Sequence, residues 1–174
     1  MVAATILGVA NVSFASDSSA SLDENAQGQQ GQDRAIAFGN TKNPKNVIFM
    51  VSDGMGPSFN TAYRYYKNKS GAKTLKPTAF DKYLKGTNRT YPNDPKENVT
   101  DSAAGGTAFA TGHKTYNGAI SVDTNKKPVK SVLEQAKEQG KSTGLVITAE
   151  LTDATPSVYA AHIDSRDKKD DIAQ

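Results

Sequence analysis

Cysteine is absent from this chain of 174 residues, and histidine occurs only twice. The lack of cysteine excludes disulfide bonds, thiolate metal sites and thiol nucleophiles, so any metal must bind to oxygen atoms or to imidazole. Two histidines cannot form a three-histidine zinc site by themselves. The short apolar N-terminus cannot span a bilayer as a helix. A basic stripe with interleaved aromatic residues is also missing, so the net charge of +3 does not indicate nucleic-acid binding.

The length fits one ordinary domain, since domains usually contain about 100–200 residues. Residues 1–15 are small and apolar and end in a small-x-small pattern, which predicts the remnant of a signal peptide, with a disordered tail as the alternative. Residues 16–40 are rich in Ser, Gln, Asp and Gly and predict a polar, disordered linker. We therefore expect export to a secreted or periplasmic location, with the folded region over residues 41–174.

Strand and helix signals alternate after the linker. The apolar run Asn46–Val51 predicts a strand buried on both faces, and Thr143–Ala149 predicts a second strand. The helix signals lie at Pro57–Tyr66, at Pro77–Gly86 and after Ser131, whose helix has Glu134 in a capping box and Gly140 at its end. This alternation predicts an α/β fold, namely a three-layer α/β/α sandwich with a mainly parallel sheet.

Polar residues follow both predicted strands directly. Asp53 comes after the first strand, and Asp153 and Thr155 come after the second. Because ligands bind beyond the carboxyl ends of parallel strands, we expect these side chains to open onto the same edge. Each also has an ordinary structural explanation, since Asp53-Gly54 is a common turn pair and Thr155-Pro156 can begin a helix.

The stretch VTDSAAGGTAFATG at 99–112 places Asp101 and Ser102 before a run of small residues. Ser102 can simply be the N-cap of a helix, which is a common use of serine. Alternatively, the free N–H groups and the positive end of the helix dipole suit a phosphoryl group on or near the serine oxygen. The small residues would then let the helix approach other backbone and leave space for a substrate.

Three segments of the chain together resemble the alkaline phosphatases. They are VIFMVSDGMG at 47–56, VTDSAAGGTAFATGHKTYNGAISVD at 99–123 and GLVITAELTDATPSVYAAHIDSR at 144–166. Their order and their length make the resemblance highly specific, and it covers the chain from about Asn46 to its C-terminus. It implies an alkaline-phosphatase-like fold that is incomplete in this chain.

The resemblance also implies hydrolysis of phosphate monoesters at a metal centre, with release of inorganic phosphate. Ser102 would be the nucleophile that becomes a phosphoserine, Arg166 would clamp the phosphate, and Asp101 would orient the arginine. The planar fork of an arginine can make two hydrogen bonds to phosphate oxygens, which a lysine cannot match.

Metal cofactors, two zinc ions and one magnesium ion, are implied in the same way. Asp53 would bridge a zinc and the magnesium, and Ser102 would contact a zinc. Thr155 would bind the magnesium directly, and Asp153 would hold it through water. Their oxygen atoms are the hard donors that magnesium prefers. A homodimer is implied for the full-length protein.

The chain departs from the family in its length. Most members are considerably longer, and their second half supplies the remaining His and Asp ligands of zinc. His113 has no apparent ligand role, and His162 is interpreted as a helix residue that packs near the site. We therefore expect an N-terminal portion of a bacterial alkaline phosphatase that is inactive alone. The alternative is a non-catalytic fragment or phosphate-binding module, whereas the Asp101-Ser102 pair and the DATP motif disfavour a sulfatase or phosphomutase.

Overall fold

The computed structural model describes residues 46–174, so the predicted signal-peptide remnant and linker lie outside the described residues. Six helices occur in this part: Pro57–Lys67 (α1), Ala79–Tyr83 (α2), Ser102–Thr111 (α3), Val132–Glu138 (α4), Ala154–Ser157 (α5) and Lys169–Ile172 (α6). Two isolated antiparallel bridges, Ile120–Ile163 and Val122–Pro128, are the β-pairing within residues 46–174. None of these helices has both the length and the apolar character that crossing a bilayer requires.

The two predicted strands are not formed in the described part of the chain. Val47 and Ile48 are 74% and 77% exposed, and Val146 is completely exposed. The described residues therefore do not show the strand buried on both faces that was predicted over Asn46–Val51, nor the strand that was predicted at Thr143–Ala149. The physical reason is that a buried strand needs hydrogen-bonding neighbours, and residues 46–174 offer none to either segment.

Local signals place the first two helices. α1 begins with Pro57, whose restricted backbone suits the first position of a helix. α2 is shorter than the predicted range Pro77–Gly86, and a capping box between Thr78 and Asp81 defines its start. Arg64 joins the two helices, because its Nε donates to both carboxylate oxygens of Asp81 at 2.9 Å.

The core of the described residues forms around α3. Its buried apolar members are Ala103, Ala110, Ile120, Ala154, Val158 and Tyr159. A Cβ atom added at Gly106 would lie 3.1 Å from Cγ2 of Val158, so only a glycine lets α3 approach the residues after α5 this closely without displacing them. The small residues of α3 therefore serve close packing, and they bring the starts of α3 and α5 into one unit.

The predicted capping box of α4 is confirmed. Ser131 Oγ accepts a hydrogen bond from Glu134 N at 3.2 Å, and Glu134 Oε2 accepts one from Ser131 N at 2.7 Å. Gly140, predicted at the end of this helix, has a φ of +74° that favours glycine. Ser131 Oγ also donates to Tyr159 O at 2.7 Å, which ties the start of α4 to the core.

We predict that Ser131→Ala lowers the free energy of unfolding more than Thr78→Ala does. Both variants remove a cap worth about 1 kcal/mol, whereas only Ser131→Ala also removes a buried bond to a backbone carbonyl, worth about 1 kcal/mol more. Urea unfolding followed by circular dichroism measures the difference. Equal losses would show that the bond to Tyr159 contributes no stability.

Candidate active site

Asp101, and not Ser102, caps α3. Asp101 Oδ1 accepts a hydrogen bond from Ala104 N at 2.8 Å, and Ser102 is the first residue of the helix. The interpretation of Ser102 as the N-cap is therefore wrong. A carboxylate also suits the positive end of the helix dipole better than a neutral hydroxyl does. Because the cap is supplied by its neighbour, the hydroxyl of Ser102 remains available for another partner.

Arg166 is that partner. Its Nη1 donates to Ser102 Oγ at 2.8 Å and to Asp101 Oδ2 at 3.2 Å. The side chains of Arg166 and Asp101 are 34% and 26% exposed, so this ion pair is partly shielded from water. Both side-chain hydrogen bonds that Arg166 makes with the described residues use Nη1, which leaves its Nε and Nη2 for a ligand.

Gly118 connects the two charged residues through its backbone. Its N–H donates to Asp101 Oδ2 at 2.9 Å, and its carbonyl accepts from Arg166 N at 2.7 Å. The bridge between Ile120 and Ile163, with both hydrogen bonds at 2.9 Å, continues this pairing. Sequence reasoning missed Gly118, although an Asn-Gly pair is a turn signal and its φ of +87° favours glycine.

Asp53 and Thr155 meet although 102 positions separate them. Thr155 Oγ1 donates to Asp53 Oδ2 at 2.7 Å. The segment that leads to Asp53 lies against the core, since the ring of Phe49 is 6.2 Å from that of Phe109 in α3 and 6.1 Å from that of Tyr159. These aromatic contacts hold Asp53 beside α5 without a ladder of backbone hydrogen bonds.

The side-chain contacts of Asp153 differ from those of Asp53 and Thr155. It occupies the N-cap position of α5, but its side chain makes no capping hydrogen bond. Its Oδ1 instead lies 3.5 Å from Lys169 Nζ, and Lys169 also pairs with Glu150. The carboxylate of Asp153 is therefore held only by a long ion pair at the surface.

The oxygen donors present fit magnesium better than zinc. Asp53, Thr155 and Asp153 supply carboxylate and hydroxyl oxygens, which are typical magnesium ligands. Within residues 46–174, however, no group of three or more His, Asp or Glu side chains is arranged to hold a metal ion. His113 is exposed after the end of α3, and both ring nitrogens of His162 face other partners. These residues do not fit a pair of zinc ions.

His162 is not a helix residue, because α5 ends at Ser157. Its Nδ1 lies 2.8 Å from Ser121 O and its Nε2 lies 2.9 Å from Glu134 Oε1. Both partners are acceptors, so only the protonated ring can donate to both. Burial lowers the pKa of His162, but the hydrogen bonds to Glu134 and Ser121 and the charge of Glu134 outweigh it and raise the pKa above its usual value.

Comparison with known proteins identifies the family. The family model for alkaline phosphatase matches residues 44–174. The chain is 48% identical over 165 residues to alkaline phosphatase 3 of Bacillus subtilis, covering 95% of this chain and 34% of that protein. It is 57% identical over 130 residues to alkaline phosphatase 4 of the same organism, covering 74% of this chain and 28% of that protein.

A solved structure supports the same assignment. The cold-active alkaline phosphatase of a psychrophilic Shewanella species matches 70% of this chain and 30% of its own chain, with a TM-score of 0.66 and 45% identity. This likeness gives the α/β class of the fold. The chain belongs to the alkaline phosphatase family. It spans about a third of the length of the curated relatives it matches.

We predict that the stability contributed by His162 declines as the pH rises. The folded-state pKa lies above the ordinary value of 6.5, so this stability is fully present below that value and is lost as the pH passes through the folded pKa. His162→Gln should therefore differ most from the wild type at about pH 5.5 and least at about pH 8.5. Urea midpoints across this range measure the difference, with the exposed His113→Gln as the control. A difference that is independent of pH would contradict the charged pair with Glu134.

Proposed function

We propose that the protein hydrolyses phosphate monoesters through a phosphoserine intermediate on Ser102 and releases inorganic phosphate. The observation that carries this proposal is the contact of Arg166 Nη1 with Ser102 Oγ, 2.8 Å apart, at the start of α3. Membership of the alkaline phosphatase family supports the reaction class. Because the chain spans about a third of its relatives, the activity belongs to this proposal and not to the comparison.

The start of α3 favours an attack by the serine oxygen. A serine hydroxyl is a weak nucleophile at its ordinary pKa, and the adjacent cation of Arg166 favours its deprotonated form. In the proposed step, Ser102 Oγ loses its proton to solvent and bonds to phosphorus, the bond from phosphorus to the ester oxygen breaks, and the leaving oxygen takes up a proton from solvent to give the alcohol. Water then attacks the phosphoserine, which releases inorganic phosphate and restores the hydroxyl.

The phosphoryl group would be bound by charge and by backbone donors. Nε and Nη2 of Arg166 are free to donate to two phosphate oxygens, as its planar fork allows. The N–H groups of Ser102 and Ala103 lie in the first turn of α3, where intrahelical acceptors are lacking. Together with the helix dipole, these groups supply positive potential where negative charge develops during transfer.

We propose one magnesium ion for the neighbouring oxygen donors. Thr155 and Asp53 would bind it, and Asp153 would hold it through water. When bound, the ion would supply positive charge near the phosphoryl group. Two zinc ions, with Asp53 and Ser102 as ligands, remain an expectation from the family, since the described residues do not complete such a centre.

A phosphate-binding module without catalysis is the second candidate. It is favoured by one observation, namely that Arg166, the residue proposed to bind phosphate, is held beside Ser102 by hydrogen bonds within this chain alone. Such a module would bind phosphate and accumulate no phosphoserine. Covalent labelling therefore separates the two candidates.

The remaining features of the proposal follow from the family. They are a three-layer sandwich with a mainly parallel sheet, in which the segments at 46–51 and 143–149 would gain strand partners, and a catalytic domain that includes residues 41–174. A homodimer and a secreted or periplasmic location belong to the same proposal.

In the full-length protein that contains this chain, Ser102→Ala should abolish the phosphoenzyme and slow turnover by about 10³-fold or more, because no other side chain can replace the attacking oxygen. Labelled phosphate is trapped on the protein at acid pH, with the exposed Ser70→Ala as the control. Label that persists on Ser102→Ala would rule out this nucleophile. Phosphate binding without label on the wild type would favour the binding module.

Arg166→Lys should weaken inhibition by inorganic phosphate by about tenfold or more, although the positive charge is kept. The reason is that a lysine cannot make the paired hydrogen bonds of a guanidinium, and a hydrogen bond to a charged group contributes about 1.5–3 kcal/mol. Inhibition constants for both forms measure the effect, and Arg64→Lys, in the contact between α1 and α2, is the control. Equal constants would show that Arg166 does not bind phosphate.

A further inference from the structure

The side chain of Asn117 spans the space between the segment at 97–99 and the start of α3. Its Oδ1 accepts a hydrogen bond from Asp101 N at 3.0 Å. Its Nδ2 donates to Val99 O at 2.8 Å and to Glu97 Oε2 at 3.2 Å. Since the partner of Oδ1 is a donor and both partners of Nδ2 are acceptors, the orientation of the amide is determined by its contacts.

The backbone of Asn117 is anchored as well. Its N–H lies 3.3 Å from Asp94 Oδ2, and Asp94 Oδ1 accepts from Lys96 N at 2.9 Å. Hydrogen bonds from the backbone N–H groups of Lys96 and Asn117 outweigh burial and hold the pKa of Asp94 below its ordinary value, so this carboxylate stays ionised. Asn117 is thus held at its own backbone while its side chain reaches across to Asp101.

These contacts complete the support of Asp101. Its carboxylate is held by Ala104 N, Gly118 N and Arg166, and its carbonyl accepts from Thr100 Oγ1 and Gly105 N, but none of these bonds uses its own N–H. Asn117 Oδ1 accepts a hydrogen bond from the N–H of Asp101, which lies outside the helix and has no intrahelical acceptor. Asn117 therefore supplies the hydrogen-bond acceptor that this N–H uses.

We propose that Asn117 is a positioning residue of the candidate active site. It holds the backbone of Asp101 so that the carboxylate keeps Arg166 within reach of Ser102 Oγ. Asn117 makes no hydrogen bond to Ser102 or Arg166 and therefore acts through Asp101. This inference rests on the proposed phosphatase function.

An amide is the side chain that these contacts require. Aspartate at this position could still accept from Asp101 N, but it could not donate to Val99 O and would repel Glu97. Alanine would lose all three bonds. Comparing the two substitutions therefore separates the effect of the hydrogen bond to Asp101 N from the effect of the hydrogen bonds to Val99 and Glu97.

The first measurement is amide hydrogen exchange by NMR on the labelled protein that contains this chain. In Asn117→Ala we expect the amides of Asp101 and Gly118 to exchange about tenfold faster or more, as for the loss of one hydrogen bond. The amides of α4 should be unchanged. In Asn117→Asp, protection at Asp101 should largely return. The controls are Glu97→Ala, which removes one exposed contact, and Asn98→Ala, a neighbouring exposed asparagine.

The second measurement is steady-state hydrolysis of a chromogenic phosphate ester. We expect Asn117→Ala to lower kcat by about tenfold or more and to change KM by a smaller factor, because the misplaced groups act on the reacting atoms. Asn98→Ala should leave both constants unchanged, and Asn117→Asp should recover part of kcat.

Two results would overturn the proposal. One is unchanged exchange at Asp101 and Gly118 in Asn117→Ala. The other is equally faster exchange throughout α4, which would show general destabilisation. A wild-type protein that takes up no phosphate label would instead refute the phosphatase function, and the exchange rates would still report whether Asn117 holds Asp101. The two failures are therefore distinguishable.

Discussion

The carboxylate of Asp101 is the interaction on which the candidate site depends. One oxygen caps the start of α3 by accepting a hydrogen bond from Ala104 N, and the other accepts hydrogen bonds from Gly118 N and Arg166 Nη1. A partly buried carboxylate is costly unless donors surround it, and these three donors offset that cost. As a result, the helix start, the turn at Gly118 and the guanidinium cannot shift independently. Ser102 receives its position from this arrangement, since it follows Asp101 directly.

A second constraint links the start of α3 to the oxygen donors near α5. Gly106 lets α3 approach Val158, while Phe49 packs on α3 through Phe109. Asp53 follows Phe49 by four positions and meets Thr155 at the start of α5. Close packing therefore brings a nucleophile candidate and a magnesium-site candidate onto one small core, although each is built from separate stretches of the chain.

Local chemistry made much of this arrangement predictable. The box between Ser131 and Glu134 needs only residues three positions apart, so its sequence pattern was sufficient. Strands at 46–51 and 143–149 need distant partners, and their apolar pattern gives no information on whether partners are present. Asp101 and Ser102 are both common N-cap residues, so the sequence alone does not determine which of them caps α3. The predicted start of the helix can therefore be wrong by one residue.

The interpretation of His162 as a helix residue rested on the helix start at Thr155-Pro156, but α5 ends at Ser157 and His162 is held by tertiary contacts with Ser121 and Glu134 that sequence alone does not reveal. The close approach of Gly106 to Val158, described above, has a mechanical consequence. Close-packed interiors have low compressibility, so hydrostatic pressure should change the spacing of α3 and α5 very little. A displacement of α3 relative to α5 would therefore require the side chains around this contact to repack, and the start of α3, with Asp101 and Ser102, keeps its place beside α5.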